Sequence, residues 1–256
     1  MYTRVKTDVE IEAMRQSGRM LATVLQLLTQ NVAEGISTKK LSDIAAKEIT
    51  SLGGQAAFLG YQGFPEAICI SVNDEVVHGI PRPDTIIKNG DIVSLDLGVS
   101  YKGMITDSAV SVICGSNQPD YKPNARIRDL VRYTEASLHE GLAAIKDGCT
   151  TGDIGFAVEK VLNKNKFGIV RDLVGHGVGH AVHEDPNIPN YGRRNTGDKL
   201  VAGMTVAIEP MATLGREAIS LDDDGWTIRT QDGSMAAHFE HTVLVTKTGC
   251  EILTQC

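Results

Sequence analysis

Residues 90–96 read GDIVSLD, and residues 203–209 read GMTVAIE, 113 positions later. Each begins at a glycine, runs through apolar and β-branched residues, and ends on a carboxylate. The same offset lays Ala33–Thr38 (AEGIST) over Lys146–Thr151 (KDGCTT), 55 positions away. Two matches at one offset predict a duplicated chain, with each half ordered as helix, G-x-[ST]-T, helix, strands. The predicted class is α+β: one domain over 1–256, with similar halves at about 8–117 and 124–253 meeting at a shared site. The duplication sets Asp96 opposite Glu209.

Working outward, Ile11, Met14, Met20, Leu21, Leu25 and Leu28 recur at helical spacing after Asp8, predicting a helix over 8–30. A second is predicted over 38–51, ending at Gly53-Gly54. ICISVNDEVVHGI (68–80) reads as two short strands joined at Asn73-Asp74. Residues 90–112 read as a hairpin turning near Tyr101–Gly103. Pro119–Pro123 is read as a linker. Helices are expected over 125–146 and 151–164, a polar loop over 187–199 and a strand over 201–210. Residues 215–253 read as strands with turns at 222–225 and 232–233.

Hydrophobic content of 42% and a charged fraction of 22% are those of an ordinary globular protein. A net charge of −7 argues against nucleic acid as partner. There is no apolar run of membrane-spanning length, and the first residues carry no secretory pattern. The five cysteines are scattered and form no C-x-x-C pair, which points to reduced thiols and a cytoplasmic location.

Asp96 and Asp107 are eleven residues apart across the turn. A hairpin symmetric about Tyr101-Lys102 sets them directly opposite, with Cβ atoms about 5 Å apart. Two such carboxylates do not both ionise without a cation between them. Glu209 ends an apolar strand, and Glu240 sits in HFEHTVLV, flanked by His238 and His241. LVGHGVGHAVHEDP (173–186) places His176, His180 and His183 within eight residues. Read alone, that stretch leaves open a glycine-rich surface loop, and the carboxylates leave open solvated positions. Taken together, four carboxylates and one imidazole suit two divalent ions. An oxygen-rich shell favours manganese, iron, cobalt or magnesium, with zinc still open. Amide hydrolysis is the natural reaction for such a centre.

Five stretches together resemble the type I methionine aminopeptidases of peptidase family M24, in their short bacterial form. They are YQGFPEAICISVNDEVVHGIP (61–81), SLDLGVSYKGMITDSA (94–109), GHGVGHAVHEDPNIPNYG (175–192), TVAIEP (205–210) and DGWTIRTQDGSMAAHFEHT (224–242). The resemblance implies a pita-bread fold and two divalent ions (Co2+, Mn2+, Fe2+ or Zn2+) on Asp96, Asp107, His176, Glu209 and Glu240. It implies removal of the N-terminal methionine from nascent polypeptides at the ribosome, with a small second residue preferred. A hydroxide attacks the first peptide bond. Glu209 takes its proton, His183 donates to the developing oxyanion, and His78 contacts the scissile nitrogen. Tyr61, Phe64, Cys69, Val182 and Trp226 line the methionine pocket. The implied state is a monomer. Gln62, His180 and Val182 depart from the family pattern, and His180 is expected at the surface. The alternatives are an Xaa-Pro aminopeptidase and a metal-free pita-bread binding protein.

Overall fold

Residues 5–116, 122 and 124–255 are described by the computed structural model. Four helices form where the apolar stripes predict them. Helix α1 (Asp8–Asn31) starts at a capping box in which Thr7 and Glu10 satisfy each other's backbone N–H. Helix α2 (Thr38–Ser51) is capped by Ser37, whose hydroxyl accepts from Lys40 N–H. Helix α3 spans Ala125–Ala143, and helix α4 (Thr151–Lys164) starts at a capping box of Thr150 and Asp153.

The duplication is visible bond by bond. Helices α2 and α4 begin and end 113 positions apart, as do their caps Ser37 and Thr150. Gly35 N–H donates to Ile87 C=O and Gly148 N–H to Leu200 C=O. The bridge Ser37–Ile86 has its counterpart in Thr150–Lys199. Each half packs its helices on its own sheet. Leu21, Leu28, Leu41 and Ile49 lie against Leu95, Leu97 and Val99, while Leu138, Leu142 and Ile154 lie against Val206, Ile208 and Val243. Burying each such side chain stabilises the fold by roughly 1.5–3 kcal/mol.

The first sheet is built on the hairpin of Ile92–Tyr101 and Met104–Ile113, with Cys69–Val72 and Gln55–Ala56 on the other edge of Ile92–Tyr101. Its register corrects the expected one. Asp96 pairs with Ala109, and Asp107 with Gly98. The turn residues are Lys102 and Gly103, both at positive φ, so the hairpin folds one residue later than the symmetric reading. Asp96 and Asp107 therefore share a face as diagonal neighbours and are not directly opposite.

The second half carries a five-stranded sheet in the order Cys250–Ile252, His241–Val245, Thr205–Ile208, Val174–Gly177, Glu184–Pro189. Three expected boundaries move. The start of the 187–199 loop is strand, because Glu184–Pro189 pairs with Val174–Gly177. The 201–210 strand shrinks to Thr205–Ile208, because Met204 N–H closes a turn onto Val201 C=O. Helix α3 stops at Ala143, after which Asp147 and Gly148 bond to Thr246 and Leu200 on the sheet side. The linker over 119–123 falls almost wholly outside the described residues.

Side-chain and backbone bonds join the two sheets at the acidic positions. Glu240 N–H donates to Ala109 C=O at 2.9 Å, and Ala109 N–H to Glu240 C=O at 3.4 Å. The Thr242 hydroxyl accepts from Asp107 N–H and donates to Asp107 C=O. These bonds fix Asp107 and Glu240 relative to each other before any cation is considered. Among the described residues, no helix is long and apolar enough to cross a membrane.

Candidate metal centre and its cavity

The twelve residues that the resemblance implies as ligands, catalytic groups and pocket lining share one cavity of ≈ 150 Å³ between the halves. Its polar wall holds Asp96, Asp107, His176, Glu209 and Glu240, with His78 and His183 beside them. Ligand atoms of Asp107, His176 and Glu240 lie within 4.8 Å of one another, the span of one ion's coordination shell. Glu209 adjoins them, with its Oε1 3.4 Å from His176 Nε2. Asp96 completes the wall from the neighbouring strand.

These carboxylates are buried without enough partners. Asp96 Oδ1, Asp107 Oδ1 and Glu240 Oε1 have no hydrogen bond and negligible solvent contact. Burial pushes Asp107 up from its ordinary 3.8 to about 7. Burial, and then the negative charge of their neighbours, raises Asp96, Glu209 and Glu240 well above the usual carboxylate range. An oxygen-rich, proton-hungry cluster of this kind fits divalent cations, which replace the protons.

His176 is arranged to offer a lone pair. Its Nδ1 lies 2.9 Å from Gly177 C=O, so Nδ1 carries the proton and Nε2 faces the carboxylates. Burial, reinforced by His183, lowers its pKa to about 3. His78 sits at φ +59, a strained conformation for a side-chain-bearing residue. It is held there by Gly79, whose N–H donates to Ser71 Oγ and whose C=O accepts from Ile70 N–H. A Cβ at Gly79 would collide with Ile70 C=O, so glycine alone fits. The His183 Nδ1 lies 2.9 Å from the Tyr61 hydroxyl. With the phenol as donor, the ring's proton sits on Nε2. Burial also lowers the pKa of His183.

The pH dependence of the metal-free protein follows from these shifts. The raised carboxylates keep protons that the unfolded chain has lost, so their contribution to stability falls as pH rises from 3.8, where an unfolded aspartate ionises, through about 7. His78, at about 4, and His176, at about 3, stay unprotonated where the unfolded chain, ordinarily at 6.5, is charged. Their contribution is lost as pH falls below 6.5. Between about pH 4 and 6.5 the two effects oppose each other, and above 6.5 only the carboxylate loss continues, so metal-free Tm is expected to fall as pH rises beyond 6.5, by roughly 2–4 °C for each kcal/mol lost in a chain of this size. Saturating divalent cation is expected to remove the alkaline drop. Scanning calorimetry with and without metal measures both limbs, and an alkaline limb indifferent to metal contradicts the assignment.

The apolar end of the cavity is formed by Tyr61, Phe64, Cys69, Val182 and Trp226, joined by Phe58 and Gln62. Phe64 and Trp226 meet edge to face at 5.1 Å. Asp224 holds the Trp226 rim by accepting from the N–H groups of Trp226 and Thr227, and is itself paired with Arg82. Gln62 lies at φ +49 at the mouth. Phe58 was not foreseen. Its one signal is Gly98, an isolated glycine in a buried strand, where a Cβ would stand 2.9 Å from the Phe58 ring.

His180 does not join the cluster, as expected, but the surface placement is corrected. It is half-buried, with its Nε2 2.7 Å from Glu10 Oε1 at the start of α1. Beside it Lys6 Nζ, fully buried, pairs with Glu184 Oε2 at 3.1 Å, and Glu184 Oε1 accepts from the N–H groups of His180 and Ala181. The N-terminal segment thus latches the loop that presents Val182 and His183. Lys6→Met is expected to destabilise the protein by about 3–5 kcal/mol, because it leaves a buried carboxylate without its cation. Lys6→Met with Glu184→Gln is expected to recover part of the loss in urea denaturation. A double variant no better than the single one contradicts the latch.

The profile described as metallopeptidase family M24 matches residues 12–247. The chain belongs to that family. The M24 chain is 42% identical to the methionine aminopeptidase of Aquifex aeolicus, with 100% of each chain covered. It superposes on the crystal structure of methionine aminopeptidase from Thermotoga maritima with a TM-score of 0.95 at 41% identity, covering 99% of this chain and 100% of that one. The prolidase of Pyrococcus furiosus shares the fold, with a TM-score of 0.77 at 21% identity, covering 99% of this chain and 66% of that one. The pita-bread expectation holds, with helices outside and antiparallel sheets carrying the site.

Proposed function

We propose that the protein removes the N-terminal methionine from nascent polypeptides, preferring a small second residue. The observation that carries the reading is the joining, in one cavity, of a buried Asp107–His176–Glu240 cluster to a narrow apolar end. End-to-end similarity to methionine aminopeptidases supports it.

Asp96, Asp107, His176, Glu209 and Glu240 would hold two divalent ions, drawn from Co2+, Mn2+, Fe2+ or Zn2+. The orphaned oxygens and the number of carboxylates favour more than one cation. When bound, the ions supply a Lewis acid for the amide carbonyl and lower the pKa of water. The residues do the rest. Acidic side chains at the cavity wall receive the substrate's α-amino group, which confines cleavage to the first residue. Phe58, Phe64, Cys69, Val182 and Trp226 enclose an unbranched thioether and exclude charge. Glu209 accepts the proton released as water attacks. His183, with Nε2–H as donor, stabilises the carbonyl oxygen as it becomes negative. His78 contacts the leaving nitrogen. Action as a monomer in the cytoplasm, on chains emerging from the ribosome, belongs to the same proposal.

The test is amino-acid release from Met-Ala-Ser, Met-Lys-Ser and Ala-Pro-Ser, metal-free and with manganese, iron or cobalt. Metal-dependent methionine release from the first peptide alone is expected. Cleavage of the proline peptide moves the activity to that of an Xaa-Pro aminopeptidase. Silence on all three with metal bound favours a binding role.

A further inference from the structure

His238 ends the strand Ala236–His238 and is 1% exposed, yet neither of its ring nitrogens has a hydrogen-bond partner. An unsatisfied buried polar group costs about 1–3 kcal/mol, so an orphaned ring facing other orphans needs a reason. Its Nε2 lies 3.7 Å from Glu209 Oε2 and 4.0 Å from Glu240 Oε2. Glu209 is thereby bracketed by two imidazoles, since its other oxygen lies 3.4 Å from His176 Nε2. The ring is held in place from its backbone. His238 N–H donates to Ser111 Oγ and His238 C=O accepts from the Ser111 hydroxyl, each at 2.8 Å.

The two imidazoles differ in a way that separates their roles. A ligating histidine donates its second ring N–H to a carbonyl or carboxylate, which fixes the tautomer. His176 does so through Gly177 C=O, whereas His238 Nδ1 has no such partner. His238 Nε2 also misses hydrogen-bond range of the two carboxylates by under about 1 Å. A small inward turn of either carboxylate closes that gap.

We propose that His238 is a positioning residue of the metal centre, whose Nε2–H holds the outer oxygens of Glu209 and Glu240 when cations draw those carboxylates together. It sets the angle at which both carboxylates present their remaining lone pairs. The proposal rests on the reading that this cavity holds divalent cations.

Metal-stripped full-length protein, titrated with Co2+ by calorimetry and followed by visible absorption, provides the test. His238→Ala is expected to weaken cobalt affinity roughly 10- to 100-fold, the usual effect of losing an outer-shell partner. His238→Gln keeps an N–H donor and is expected to stay within a few-fold of wild type, with unchanged cobalt bands at saturation. If His238→Ala does not fold, His238→Leu fills the ring's volume without a donor and takes its place. Wild-type cobalt binding with an unaffected Ala variant overturns the proposal alone. Equal losses in Ala and Gln with shifted bands overturn it in favour of direct ligation. No cobalt binding by the wild type removes the metal reading and the proposal together.

Discussion

His176→Ala is expected to lower turnover by about 10³-fold or more, equivalent to some 4 kcal/mol of transition-state stabilisation. His176 is the one imidazole in the three-residue cluster with Asp107 and Glu240, and it carries the tautomer that leaves Nε2 free. Without it, the site loses its one nitrogen donor in that cluster, while the buried carboxylates keep their preference for protons. A cation with one donor fewer then competes less well with those protons at neutral pH. The fold should survive, because the ring faces the cavity and its one hydrogen bond is to the adjacent residue's carbonyl. Circular dichroism and, above pH 6.5, metal-free Tm are expected to match wild type, while metal content falls. Near-normal turnover with normal metal content would remove His176 from the centre.

Local chemistry made much of this arrangement readable. The paired runs GDIVSLD and GMTVAIE announce the duplication because an apolar strand ending in a carboxylate is an unusual pattern, and its repeat at a fixed spacing is rarer still. Helices α2 and α4 were readable to the residue because Ser37 and Thr150 are strong caps placed before apolar stripes. What failed depended on geometry with no local signature. The hairpin register turned on Lys102 taking a positive φ, which its side chain does not advertise. The half-buried His180 owes its place to Glu10, 170 positions away, and Lys6 meets Glu184 across 178. Phe58 lies outside any strand or helix pattern, and His238 reads in the sequence only as a flank of Glu240, whereas the fold sets its unbonded ring nitrogens beside Glu209.

His183→Ala should separate chemistry from binding. Turnover is expected to fall about 10²- to 10³-fold, the usual cost of losing one preorganised oxyanion donor, with KM changed only a few-fold. The ring stands at the cavity wall, packed edge-on to His176 at 4.4 Å and tied to Tyr61 through Nδ1. Its own contribution is a donor aimed at charge that is absent from the ground-state amide, so the loss belongs in kcat. Tyr61→Phe supplies the control. It keeps the aromatic wall but removes the hydroxyl that fixes the His183 tautomer, and a loss of about tenfold in kcat is expected. Metal content should stay at wild-type level in both variants, which distinguishes them from His176→Ala. An effect of His183→Ala confined to KM would make the ring a ground-state contact. Equal losses in the two variants would mean that Tyr61 does more than orient the ring, and that the oxyanion donor is the phenol.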